Sequence, residues 1–422
     1  MENTVDAQYR VYKRRWLVLS VYVLVDAIMQ LLWATFFSIT TEAWHFYGFK
    51  DQASGETAMS NLSMIVMLGM VFLSFFSIWA YDKFGWYKTV GAAAIIMAIS
   101  ALFRGFYGES YSAVFICTIG ISIAQPFILN SFGILATKWF PPKERATVNG
   151  IGMLSIYIGV VGASLGTPYM MQIGLGIKGL LNVYGYLTAA IAVLFLLIAR
   201  EQPSTPPCAQ ELTERVNFVE GMKLCFKRPH VVAGILIYFC LNGIYGSFTT
   251  LIEPILKYFT VSLDSMNIGT INLVLTIAGM VGTLLLPIVS DRDRLHRRLP
   301  SLKLSLVFGI LGLGTFVFVH QLALIFLTAI IFGFALLGAQ PVSLVLAVEA
   351  AYPASEGTSE SILQWAGNVG SAVILLFINL LFQGRHSYTI IFMVAIMVVC
   401  VVIACFTKEA SVSDRRLEKA EG

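Results

Sequence analysis

The sequence predicts an all-α membrane protein with twelve transmembrane helices in two six-helix bundles. Three observations predict this: the composition, the recurrence of apolar runs, and a phrase repeated in the two halves. Of 422 residues, 57% are hydrophobic and 12% charged, a balance from which no water-soluble core and surface can be built. About 20 apolar residues span the bilayer hydrocarbon. Runs of that kind lie at roughly 16–40, 57–81, 87–107, 110–138, 146–171, 176–199, 231–258, 266–290, 302–319, 322–351, 358–383 and 387–407. The longest polar stretch, "AREQPSTPPCAQELTERVNFVEGMKLCFKRPH", separates the sixth run from the seventh. The expected domains are therefore 1–199, a first bundle; 200–230, a cytoplasmic linker; and 231–422, a second bundle with a cytoplasmic tail.

The start, "MENTVDAQYRVYKRRW", is charged and leads into a full-length span without a small-residue cleavage pattern, which reads as an anchor rather than a signal peptide. With both termini cytoplasmic, every Lys and Arg except Lys50, Arg104, Lys178, Lys257 and Arg385 falls on the inner side. That asymmetry predicts the orientation and an even number of spans. It also accounts for the basic clusters as topology determinants, so nucleic acid is not an expected partner.

The first span, "WLVLSVYVLVDAIMQLLWATFFSIT", holds a carboxylate, Asp26, near the midplane. Asp26, Gln30 and Trp33 stand at i, i+4 and i+7, so they share one helix face. An ionised Asp at that depth costs about 2.5–3.5 kcal/mol on insertion scales, and no Lys or Arg of spans 4, 5, 7, 8 or 11 lies at the same level. Access to water or protonation would relieve the cost, and both suit a site that couples to protons or attracts cations.

The loop after the second span, "YDKFGWYKTVG", places Asp82, Gly85 and Lys88 at D-x-x-G-x-x-K spacing, a candidate gating loop. Arg104, close to the outer end of the third span, is expected to snorkel to water. The fourth span carries Thr118, Ser122 and Gln125 on one face, with a kink expected at Gln125–Pro126. The tenth repeats the phrase as Gln340–Pro341, where the amide can equally be interhelical glue. Each phrase is followed by an aromatic–Pro turn, "FPPKERAT" and "YPASEGTS". An internal repeat of this kind is the mark of a transporter built from two related bundles. The seventh span shows a stripe of Asn242, Tyr245, Thr249 and Glu253, and the eleventh one of Gln364, Asn368 and Ser371.

The Asp82–Gly85–Lys88 loop resembles the inter-helix motif of the major facilitator superfamily, in which such charges latch two helices at the cytoplasmic face. Four places carry a narrower resemblance: "YKRRW", Trp33, "IAQPFIL" with "KWFPPKE", and "AVEAAYPASEGTS" around Val348. These are similar to the feline leukaemia virus subgroup C receptor family, whose members are linked to choline, ethanolamine and haem transport. The resemblance implies the major facilitator fold and a central cavity where Trp33, Gln125, a helix-7 aromatic and a helix-11 amide meet the substrate. Here the amide position is Asn368, where the family carries Gln, and the aromatic position is Gly246 with Tyr245 beside it.

The expected function is a secondary active or facilitative transporter that moves a small organic solute by alternating access, working as a monomer in a plasma or inner membrane. An amine or quaternary ammonium such as choline or ethanolamine fits best. Aromatic faces at Trp33 and Tyr245 attract such a cation, while Gln125, Gln364 and Asn368 suit a hydroxyl. Gln30 and Asn242 lie on the same stripes, and Asp26 is the candidate for proton coupling. The alternative within transport is haem or another organic anion. Haem iron takes His, Cys or Tyr, yet His45, His230, His296, His320 and His386 all fall at helix ends or loops. A second alternative is a membrane receptor that keeps the fold without flux. No nucleophile–base pair, nucleotide loop, metal-spaced cluster or cofactor motif is present, so enzymatic chemistry is not expected.

Overall fold

A computed structural model describes residues 11–203, 205, 225–260, 263–291, 298–351 and 356–407. The aromatic–Pro turn at 352–355, most of the linker, His296 and the C-terminal tail lie outside the described residues. Every apolar run in the sequence is helical. Among the described residues eleven helices are long and apolar enough to cross a membrane, and the ninth run forms a shorter one, Leu299–Thr315, of 17 residues.

Three of the runs are broken. The first is a helix Arg14–Ala34, an irregular turn, and a short helix Thr40–Phe46. The seventh is Pro229–Thr250 followed by Ile252–Phe259. The fourth is Tyr111–Leu129 followed by Phe132–Trp139. The fourth does not interrupt at Gln125–Pro126, which lies inside the first piece. The break falls at Asn130–Ser131, residues whose side chains compete for the backbone and so disfavour helix interiors. The carbonyls it releases are served by neighbouring helices. Tyr81 of the second span donates its hydroxyl to the Phe127 carbonyl at 2.8 Å. Tyr22 of the first span donates to the Ile128 carbonyl, and Asn130 Nδ2 donates to Ser77 Oγ at 3.0 Å. Unsatisfied carbonyls are not tolerated in lipid, so the two tyrosines make the interruption possible.

The chain forms two compact units, one of Met1–Thr213 with Asp264–Leu273 and the other of Glu214–Leu263 with Val274–Gly422. In the first unit the helix Arg14–Ala34 packs on the fifth span, Pro142–Gln172. The approach is close: a Cβ at Gly159 would lie 2.1 Å from the Ala27 carbonyl oxygen. In the second unit the seventh span meets the eleventh, Glu356–Leu381, in the same manner, a Cβ at Gly370 falling 2.1 Å from the Phe239 carbonyl oxygen. Small residues that let backbones touch are what hold membrane helices together when lipid is as apolar as the side chains. The opening turns of the eighth span, Ser265–Asp291, group with the first unit. There Asn272 Nδ2 donates to Ser164 Oγ at 2.8 Å, and Ser265 donates to Glu42.

Arg104 does not snorkel. It is buried, with Nη1 donating to the Leu32 carbonyl at 3.2 Å and its guanidinium 5.1 Å from the Phe36 ring. Proximity to a helix end suggested water. The carboxyl end of the first-span helix, the negative end of its dipole, offers it a better partner.

Candidate functional site

The first unit carries Asp26, Gln30, Trp33 and Gln125. Asp26 is 2% exposed, and its Oδ2 accepts a hydrogen bond from Ser155 of the fifth span. Ser155 Oγ also lies 2.6 Å from the Gly152 carbonyl. A serine hydroxyl has one proton, and a carbonyl only accepts. With Asp26 ionised, Ser155 serves one acceptor at a time; with Asp26 neutral, the carboxyl donates to Ser155 and both contacts are made. Asp26 Oδ1 has no hydrogen-bond partner among the described residues. Gln30 is buried one turn further along, against Gly159.

Trp33 is half-buried, packed edge-on against Phe37 with ring centroids 5.0 Å apart. Its Nε1 is a buried donor without a partner among the described residues, and Gln125 Oε1 is a buried acceptor in the same condition. A polar atom left so is costly unless something else meets it. Other members of the fourth-span stripe are occupied: Thr118 bonds the Val114 carbonyl at 2.7 Å and Ser122 the Ile65 carbonyl of the second span at 2.7 Å.

The second unit carries Asn242, Tyr245, Gln364 and Asn368. Tyr245 is buried beside Gly246. Asn242 lends its carbonyl to Ser371 of the eleventh span at 2.9 Å, while its Nδ2 is buried without a partner among the described residues. Asn368 Nδ2 donates to the Gln364 carbonyl in its own helix at 2.9 Å. That bond occupies one amide proton and leaves the Oδ1 end of the group.

The candidate gating loop is built on Gly85, whose φ of 85° is open to few other residues. Asp82 and Lys88 are exposed. Glu201, just after the sixth span, is a charge that engages this turn. Its Oε1 accepts the Trp86 backbone N–H at 3.0 Å, its Oε2 the Tyr87 N–H at 2.7 Å, and Lys138 of the fourth span donates to Oε1. A carboxylate at the start of the helix Trp86–Phe106 meets free N–H groups and the positive end of the helix dipole. Burial alone would push the Glu201 carboxyl up, but the Lys138 ammonium and the two N–H donors outweigh it and hold it below its usual range.

Two of the phrases singled out in the sequence also meet: Arg15 of "YKRRW" pairs with Glu144 of "KWFPPKE" at 2.9 Å. Ser155, Glu201, Tyr22 and Tyr81 were not singled out. Glu201 stands in the "AREQP" after the sixth span, a stretch read only as the start of the linker; nothing in the local pattern distinguished Ser155 from the other hydroxyls of its helix.

Residues 18–374 match the Major Facilitator Superfamily, and the chain belongs to that family. It is thus a multi-pass membrane transporter of small solutes, not an enzyme. Among similar proteins is the choline/ethanolamine transporter flvcr2a of Danio rerio, 27% identical over 97% of this chain and 89% of that protein. The human choline/ethanolamine transporter FLVCR2 is 24% identical over 85% and 70% respectively. Solute carrier family 49 member A3 of Danio rerio is 26% identical over 91% and 82%. The fold is shared with a bacterial homolog to the human lysosomal transporter Spinster in its inward-facing, occupied conformation. The TM-score is 0.75 at 13% identity, over 96% of this chain and 100% of that one.

Proposed function

We propose that this transporter moves a small amine or quaternary ammonium of the choline and ethanolamine type by alternating access, as a monomer with both termini on the cytoplasmic side. The observation that carries the reading is that the first unit holds both an aromatic face at Trp33 and, on another helix, a buried acceptor at Gln125 Oε1 without a partner among the described residues. A quaternary ammonium is held by an aromatic face at about 0.5–2 kcal/mol per ring, and the hydroxyl or amine of the same solute satisfies an amide oxygen. Tyr245, Asn242, Gln364 and Asn368 supply the corresponding groups of the second unit, and the names of the similar proteins point the same way. Asp26 is the proposed proton carrier, since Ser155 can accommodate its neutral and ionised forms by turning one hydroxyl.

Uptake into proteoliposomes tests the proposal. Labelled choline and ethanolamine should enter saturably and compete with each other, with haem and organic acids failing to compete. Saturable uptake of an organic anion without amine uptake would reject it, and specific amine binding without flux would mark a receptor.

A further inference from the structure

Arg104 is a charged side chain that the proposed function does not use. It is 2% exposed and forms no ion pair among the described residues. An aliphatic side chain would fill the same space without the cost of removing a guanidinium from water, so packing alone does not explain the charge. Its contacts do. Leu31 to Ala34 supply the last four carbonyls of the helix Arg14–Ala34, the groups that lack the usual intrahelical donors and form the negative end of the dipole. The Thr35 hydroxyl lies 3.0 Å from both the Leu31 and Leu32 carbonyls and has one proton for the two, and the Phe37 N–H donates to Ala34 at 3.1 Å. Arg104 Nη1 adds a charged donor to the Leu32 carbonyl at 3.2 Å.

Leu32 immediately precedes Trp33. Phe36, 5.1 Å from the guanidinium, stands beside Phe37, the ring on which the Trp33 indole packs. One side chain of the third span therefore holds the chain on both sides of Trp33, where the helix gives way to an irregular turn. We infer that Arg104 is a positioning residue for substrate binding: it fixes the end of the first-span helix and so the orientation of the Trp33 indole. The inference rests on Trp33 being a substrate contact.

The test is a double-mutant cycle on the full chain in proteoliposomes, with choline as the probe and KM and Vmax of exchange read separately. Arg104→Met keeps the stem and removes the charge. It should raise KM about tenfold with Vmax changed less than about twofold, the split expected when a binding contact is lost. Arg104→Lys, which still brings a charged donor to the Leu32 carbonyl, should return KM to within about threefold of the parent. In a Trp33→Ala background Arg104→Met should shift KM no further. An equal shift in both backgrounds would show that Arg104 acts independently of Trp33 and overturn the inference, as would a fall in Vmax at constant KM. Trp33→Ala alone leaving KM unaltered would reject Trp33 as a substrate contact, a failure of the underlying reading that its own arm of the cycle reports. If Arg104→Met does not yield monodisperse protein, the Lys variant carries the cycle, its smaller shift again vanishing without Trp33.

Discussion

Glu201 accepts the Tyr87 backbone N–H through Oε2 at 2.7 Å, so a residue that follows the sixth span caps the helix of the third. With Lys138 on the other oxygen, the carboxylate ties three helices of the first unit together at one end. Glu201→Gln should therefore lower stability at neutral pH. The side chain is 37% exposed, so solvent screening limits the loss to about 1 kcal/mol. The sign of its pH dependence follows from the depressed carboxyl. The charge contributes fully above the ordinary value of 4.5 and is lost as pH falls through the lower folded value. Thermal unfolding of the two proteins in detergent should differ at pH 7 and converge as the buffer is taken below that range. A constant difference at all pH values would assign the effect to shape.

Tyr81 and Tyr22 reach the carbonyls released where the fourth span breaks. Tyr81→Phe removes one hydroxyl and leaves the Phe127 carbonyl short of its 2.8 Å donor. A buried group so stranded costs about 1–3 kcal/mol, and a drop in unfolding temperature is expected without change in the substrate's KM. An unaltered unfolding temperature would mean that another donor fills the gap.

The twelve spans were legible because bilayer thickness imposes a length and a composition that hydropathy reads directly. Gly85 was legible as the turn of a motif, and Asp26 as an anomaly. The direction in which each polar side chain points was not, because it depends on which helix comes alongside. Arg104 looked like a residue near water, yet its partner is a main-chain carbonyl of the first span, invisible to any residue pattern. For Asp26 a cation at the same depth is the partner a charge pattern suggests, whereas a neutral hydroxyl, Ser155, donates to it. The break at Asn130–Ser131 was masked by the stronger Pro126, which membrane helices accommodate inside their length.

Trp33 tests the aromatic part of the proposed site. If a quaternary ammonium rests on the indole face, Trp33→Ala should weaken choline by about tenfold, near the middle of the cation–π range, and Trp33→Phe by only a few-fold. Equilibrium binding by calorimetry measures both. Equal losses would assign the residue to shape, and unaltered binding in both would remove it from the site.

Asp26 and Ser155 test coupling. The two are buried at the contact of the first and fifth spans, and their hydrogen bond can be written with either partner as donor. A carboxyl that gains and loses a proton there would exchange one arrangement for the other without moving a helix. Asp26→Asn fixes the side chain in a neutral form, with an amide that can still donate to Ser155. The substitution should abolish accumulation of choline driven by a pH gradient while leaving choline exchange largely intact, because exchange needs the binding site and no net proton movement. Ser155→Ala should act differently. It leaves the carboxyl without its hydroxyl partner but keeps the proton-carrying group, so it should slow pH-driven accumulation without abolishing it. Accumulation in response to a pH gradient by Asp26→Asn would show that the proton is carried elsewhere or not at all. Loss of exchange in a folded Asp26→Asn protein would place the residue in substrate binding or in the conformational change instead.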